Sequence, residues 1–363
     1  MINKKRMILG TRKGLIVYKQ DIKGKWEVSG LHFISDPISM AFVDVRNDTW
    51  WAAQDHGHWG VKLHRSVDEG STWEEVEAPK YPEGSEIKDG EPASLKYIWA
   101  IAHGGNDHPG KLFIGTEPGG LFVSNDNGDT FELVEGLWNH PSRKDQWFGG
   151  GKDNAGIHSI IIDPDDSDHI YTGISVAGVF ESKDGGNTWN PMNKGLSADF
   201  LPDPHAEIGH DPHLLISAPS DKTILWQQNH CGVFLSRDAG LNWQDVSEKT
   251  GPVGFGFAIV VDENDAETAW VVPGVSDETR IAVDKALCVC RTSDGGRTWQ
   301  SLRSGLPQTN VFDITYRHAL NITGDTLAFG TTTGNLYLSC NRGDSWKLLS
   351  NNLPMIYSLY FID

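Results

Sequence analysis

The sequence predicts an all-β chain folded as a seven-bladed β-propeller, and three observations carry that reading. An eight-residue motif, Ser/Thr-x-Asp-x-Gly-x-Ser/Thr-aromatic, recurs along the chain; an apolar segment recurs ahead of each copy; and the two ends of the chain complement each other. SVDEGSTW (66–73), SNDNGDTF (124–131) and SKDGGNTW (182–189) fit every position, and TSDGGRTW (292–299) fits with Thr in the first place. SRDAGLNW (236–243) carries Asn242 for the hydroxyl, and SCNRGDSW (339–346) carries Asn341 for the Asp. The third positions, 68, 126, 184, 238, 294 and 341, are separated by 58, 58, 54, 56 and 47 residues. One further step back reaches Asp21 in GLIVYKQDIKGKWEV (14–28), which keeps the apolar run and Trp26, and this completes seven units.

Each motif follows an apolar run, as in KLFIGTEPGGLFVS (111–124), and so reads as the turn of a hairpin. The Asp side chain accepts hydrogen bonds from turn amides, Gly supplies the positive φ, and the closing aromatic packs beneath. These residues are therefore assigned to structure. The first strand of each blade is the segment ahead of the motif. ISMAFVD (38–44) opens blade two, and YIWAIAH (97–103), IHSIIID (157–163), PHLLISA (212–218), GFAIVVD (256–262) and FDITYRH (312–318) open blades three to seven. The seventh copy, YSLYFID (357–363), stands at the end of the chain, whereas the start lacks one and enters at RMILGT (6–11). Residues 355–363 are thus expected to join residues 1–30 in blade one, closing the ring and removing its free sheet edges, with 1–363 a single domain.

Composition agrees. Gly at 40 and Pro at 17 suit many short strands, and 14 Trp with 14 Phe supply a core. A net charge of −18 without a basic stripe argues against a nucleic-acid partner. No stretch has the length of a signal-peptide core or a membrane span. The four cysteines match neither a disulfide framework nor a zinc ribbon, and Cys288 and Cys290 read as small core residues on one strand face. A reduced, cytoplasmic protein is the expectation.

The motifs resemble those of the Asp-box, or BNR-repeat, proteins, which include sialidases, xyloglucan-cleaving glycoside hydrolases, sortilin-like receptor domains and a photosystem-assembly factor. The resemblance covers nearly the whole chain. More narrowly, GTRKGL, GVKLHRS, GLWNHPSR, GIHSI and YRHAL are similar to a bacterial group labelled exo-α-sialidase or glycosyl hydrolase. The chain has no Arg-Ile-Pro tripeptide, so the sialidase-like label does not carry the sialidase catalytic set onto these residues.

A propeller's first strands line its channel, and the loops opposite the motif turns crowd the channel mouth. Read at its second position, the first-strand column gives Ser39, Ile98, His158, His213, Phe257, Asp313 and Ser358. Two histidines and an aspartate are out of place among apolar strand residues unless they face a ligand or one another. With Glu117 in IGTEPGG and His230, they are the candidate catalytic residues, since histidine and carboxylate suit proton transfer near neutral pH. Arg12, Lys13, Arg143, Trp147 and Arg280 are the candidate substrate-binding residues, with arginine suited to clamping a carboxylate. His56, His58, His205 and His210 are candidate ligands of a divalent metal. The sequence therefore points to a carbohydrate-active enzyme, a glycoside hydrolase or a uronate or sugar lyase. The alternative is a non-catalytic scaffold that binds a protein partner on one face.

Overall fold

Alternating apolar residues and tight turns produce short antiparallel strands, and they account for nearly all regular structure in the computed structural model, which describes residues 5–362. Seven four-stranded sheets form, six of them joining strands consecutive in the chain, the architecture of a seven-bladed β-propeller. The chain's last strand, Ile356–Ile362, pairs antiparallel with Arg6–Thr11, followed by Gly14–Gln20 and Trp26–His32. Blade one is thus completed by the C-terminal strand, as its apolar pattern predicts. Among the described residues no helix is long and apolar enough to cross a membrane.

The described residues cluster into two compact units, one running up to Ala41 and resuming at Ile216, the other Phe42–Leu215. The boundaries fall inside two first strands, Ile38–Asp44 and Pro212–Ala218. In the first unit Trp270, Phe329, Val272 and Leu327 build one core, and Met7, Leu9, Leu336 and Phe361 another. In the second, Phe113, Leu137, Trp147 and Phe180 are buried together. Each fully buried Phe of this kind contributes about 2 kcal/mol from lost apolar exposure.

The recurrent turn shows why the motif has its residue types. The hydroxyl of Ser124 donates to Asp126 Oδ1 (2.7 Å) and accepts from the Gly128 amide (2.8 Å). Asp126 in turn accepts from the Thr130 amide (2.9 Å) and hydroxyl (2.6 Å). The same set recurs at Ser66–Asp68–Thr72, Ser182–Asp184–Thr188 and Thr292–Asp294–Thr298. In the worn copies the amides substitute: Asn242 Nδ2 donates to Asp238, and Asn341 accepts from the Ser345 amide while donating to its hydroxyl. Asp21 keeps a vestige, with Oδ1 accepting from the amides of Lys23 and Lys25, so the seventh unit retains an Asp-centred turn.

Gly128 holds φ +84°, and a Cβ there would stand 2.2 Å from the Trp51 ring of the preceding blade. At Gly343 a Cβ would stand 2.8 Å from Leu302, again in the blade before. The motif glycine is therefore fixed both by its turn and by blade-to-blade contact.

Three features depart from the sequence reading. FDITYRH is not the regular first strand of blade seven. That strand is Leu320–Thr323, reached after a turn in which the Ala319 amide bonds Tyr316 O. Asp313 therefore sits in an irregular extended segment, tied in by the Thr332 amide to Ile314 O. A two-stranded ribbon, Glu86–Lys88 with Glu91–Pro92, precedes blade three, and two four-residue helices, Glu135–Trp138 and Arg143–Gln146, precede blade four. None of these has a periodic signature long enough to read.

The hydrogen bonds from Thr130 and Ser124 hold the Asp126 carboxyl down to about 2. A depressed carboxyl stabilises the fold above its unfolded value, near 3.9, and loses that contribution as pH falls through the folded value. Stability should therefore drop between about pH 4 and about pH 2. Asp126→Asn, which keeps the geometry seen at Asn341, should lose less over that interval in thermal melts. Asp126→Ala should cost about 1 kcal/mol at neutral pH, from the lost turn bonds.

Candidate functional site

In the unit Phe42–Leu215, Glu117 ends the second strand of blade three, Leu112–Glu117, at the sheet end opposite the motif turn. It is 3% exposed. Its Oε1 accepts from the Asn154 amide (3.3 Å), and its Oε2 lies 3.9 Å from Lys152 Nζ. That ammonium stands 3.8 Å from the centroid of the Tyr97 ring. Tyr97 is edge-on to Trp99 (5.9 Å), and Trp99 is edge-on to His158 (5.6 Å). The buried His158 meets Ser159 Oγ through Nδ1 (2.9 Å). A carboxylate, an ammonium, two aromatic rings and an imidazole thus follow one another in unbroken contact.

A second buried carboxylate stands across the loop that carries Lys152. Asp211, just ahead of the strand Pro212–Ala218, accepts from the Val176 amide (3.2 Å) and lies 3.4 Å from His213 Nε2. The loop FGGGKDN (148–154) connects the two groups. A Cβ at Gly150 would lie 3.7 Å from Asp211 Oδ2, while Lys152 and Asn154 reach Glu117. Three consecutive glycines let this backbone run close to both carboxylates.

Trp147 and Arg143 stand beside this loop. Trp147 is 4% exposed, donates from Nε1 to Ser142 Oγ (3.0 Å) and packs on Phe180 (5.2 Å). Arg143 donates to the carbonyls of Trp138, Ile87 and Glu86, pinning the Glu86–Lys88 ribbon, and stacks 3.7 Å from the Trp138 ring centroid. Both line one pocket with Pro118, Gly119 and Asn154.

The four histidines proposed as metal ligands do not assemble. His56 caps the short 3-10 turn Gly57–Trp59, His58 lies within it, and both pack on the exposed Trp59. His205 Nδ1 meets Leu196 O (3.2 Å), and His210 Nε2 meets Ala206 O (2.7 Å). Among the described residues, none of the four belongs to a group of three or more ligand-type side chains whose atoms lie within 4.8 Å of one another. One ring nitrogen of each of the last two meets a carbonyl of its own loop. Burial pushes the His210 imidazole below its ordinary pKa.

In the other unit, Arg12 and Lys13 are exposed in the tight turn after Arg6–Thr11. His230 stands edge-on to Phe255 (5.8 Å). Asp313 is 4% exposed and accepts from the Thr333 hydroxyl and from Asn335 Nδ2 (2.9 Å). Arg280 pairs with Asp277 on the blade-six insertion and stands 5.4 Å from the Phe257 ring, with Arg317 at 5.0 Å from the same ring.

Sequence reasoning missed Lys152, Asn154, Tyr97 and Trp99 as site residues. The glycine run in FGGGKDN, placed just before a first strand, was the available signal. It also missed a cluster remote from the loop: His169 Nε2 meets Glu181 Oε1 (2.8 Å), Nδ1 lies 3.5 Å from Asp163 Oδ2, and the Tyr171 hydroxyl donates to Glu181 (2.7 Å).

No family model matches the chain. It is 26% identical over 302 residues to the xyloglucanase Xgh74A of Acetivibrio thermocellus, covering 73% of this chain and 33% of that protein. It is 24% identical over 244 residues to the oligoxyloglucan-reducing end-specific xyloglucanase of Emericella nidulans, covering 66% and 26%. The chain thus spans about a third or less of the curated relatives it matches. Among solved structures, an ancestral GH74 enzyme superposes with a TM-score of 0.56 at 17% identity, over 90% of this chain and 38% of that one. YCF48 from Cyanidioschyzon merolae superposes with a TM-score of 0.55 at 15% identity, over 90% and 88%. The likeness is one of fold, to GH74 xyloglucanase-type propellers among others.

The hydrogen bond to Glu181 raises the His169 pKa, against desolvation that lowers it. A raised histidine stabilises the fold below its unfolded value, near 6.5, and loses that contribution as pH rises through the folded value. His169→Gln should therefore lie further below the native protein in urea stability at about pH 5.5 than at about pH 9. A gap independent of pH would remove the charged pair from the account.

Proposed function

We propose that this chain is a carbohydrate-active propeller, a glycoside hydrolase or a lyase of uronate-containing sugars, with its reaction at Glu117 and Asp211. The observation that carries this reading is the pair of buried carboxylates on either flank of the glycine-rich loop 148–154. Glycoside hydrolysis takes two carboxyl groups flanking the scissile bond, one protonating the leaving oxygen and one serving as base or nucleophile. The Trp99 and Tyr97 rings stand beside Glu117 as surfaces on which a sugar ring stacks. For elimination, His158 or His213 would act as base, and the Lys152 ammonium would supply the positive charge that an enolate needs. The xyloglucanase relatives support the substrate class.

A second reading, a scaffold that binds a protein segment, is favoured by exposed aromatics in the same unit: Trp59 at 69%, Phe148 at 45% and Phe200 at 43%. A YCF48 structure described as bound to D1 peptide has a TM-score of 0.50 with this chain, at 15% identity.

Turnover should be sought on xyloglucan and on a panel of neutral and uronate-containing glycosides. New reducing ends would mark hydrolysis, and ultraviolet absorption of an unsaturated product would mark elimination. Glu117→Gln and Asp211→Asn should each lower kcat by about 10²- to 10⁴-fold while leaving the circular dichroism spectrum intact. A folded wild type without turnover on any of these would sink the enzyme reading and leave the scaffold.

A further inference from the structure

Beside Glu117 lies a pocket that the proposed chemistry does not itself use. Pro118, Gly119, Trp138, Arg143, Trp147 and Asn154 line it, with Lys88 and Asp153 exposed at its rim. Its volume is about 40 Å³. That is room for a carboxylate or a few waters, a water needing on the order of 10–15 Å³ of such space.

Two of its walls are electrostatically incomplete. Arg143 is only 7% exposed, yet no carboxylate among the described residues forms an ion pair with it. Its Nε and one N–H from each terminal nitrogen go to the carbonyls of Trp138, Ile87 and Glu86, which leaves two of five donors over. A buried cation without a counter-ion is costly, and partial backbone dipoles offset only part of that cost. Asn154 supplies the second observation. Its side-chain nitrogen is buried without a hydrogen-bond partner, while its backbone amide donates to Glu117. A guanidinium with two N–H groups to spare and an unpartnered amide donor, both lining one small cavity, match a planar anion with two acceptor oxygens.

We propose that this pocket binds a carboxylate, and that it selects acidic saccharides, uronates, for the neighbouring Glu117. The selection rests on the reading of Glu117 as the reacting group; the anion site does not. The carboxylate would enter between Trp138 and Trp147 and leave the pyranose outside, against Pro118 and Gly119. Lys88 adds a second positive charge at the rim, 5.6 Å from the Phe148 ring, and the exposed Asp153 carboxylate, also on the lining, would accept from sugar hydroxyls outside.

The test is titration of the full chain with glucuronate, galacturonate and glucose, at constant ionic strength. Tryptophan fluorescence and the indole N–H resonances would report binding, since the Trp147 indole is held on Ser142 (3.0 Å) beside the pocket. Both uronates should give saturable shifts, with glucose weaker by on the order of tenfold or more, and Asn154→Asp should weaken uronate binding by on the order of tenfold. Arg143→Lys keeps the charge and loses the fork, so it should weaken uronate as well. Because Arg143 also anchors the Glu86–Lys88 ribbon, Asn154→Asp is the variant that decides. Equal shifts with glucose, no shift in the folded wild type, or unchanged binding by Asn154→Asp would overturn the proposal. Sulfate competing as well as glucuronate would do so too, by marking a site for inorganic oxyanions. Turnover of neutral glycosides without uronate binding would overturn this inference and keep the enzyme. Uronate binding without turnover of any glycoside would uphold the anion site and overturn the proposed function.

Discussion

The Asp-centred turn is the interaction on which the rest of this structure depends. One carboxylate takes a hydroxyl from two residues before it and an amide and a hydroxyl from four residues after it. Those bonds fix a tight reversal with two successive positive-φ residues, Asn127 and Gly128 in blade three, Ala239 and Gly240 in blade five. The reversal delivers the glycine against the blade before: Gly128 on Trp51 and Gly186 on Val134 in one unit, Gly296 on Val246 and Gly343 on Leu302 in the other. The same small motif therefore closes a hairpin and sets the contact between sheets. Its chemistry tolerates substitution where an amide can replace the acid, as at Asn341, and where only the acid survives, as at Asp21.

Within each sheet this arrangement leaves the opposite strand ends for function. A strand that starts where the motif lies ends where Glu117 lies, so the turns that identify the fold are kept away from the buried carboxylates. The connections at that end vary freely in length because they carry no part of the repeat. There the chain places the FGGGKDN loop, the Glu86–Lys88 ribbon and the two short helices. Arg143 couples these additions, holding the ribbon by two carbonyls while lining the pocket beside Glu117. The buried guanidinium anchors the ribbon with part of its fork and leaves two of its five N–H donors over.

The histidine content shows how composition can mislead. His158 and His213 do stand beside aromatic and acidic partners close to the loop. His205 and His210 are spent on carbonyls of their own loop, and His169, part of no motif, meets both Glu181 and Asp163. A histidine count locates polar neighbourhoods; which nitrogen meets which acceptor depends on loop conformation.

By itself the sequence determined the blade number, the motif turns and the closure of blade one by the C-terminal strand. Those depend on periodic spacing and on hydrogen bonds spanning no more than four residues, which a linear pattern records. Glu117 was legible as a polar residue at a strand end beside glycines, whereas Asp211 entered the site only with the structure. Only the tertiary structure decided that Lys152, Asn154 and Gly150 bring one loop to both carboxylates, that Asp313 falls in an irregular segment ahead of Leu320–Thr323, and that Arg143 lines a pocket. Those outcomes depend on how non-repeating loops 30 to 60 residues apart in the chain settle against one another, and no local period encodes that.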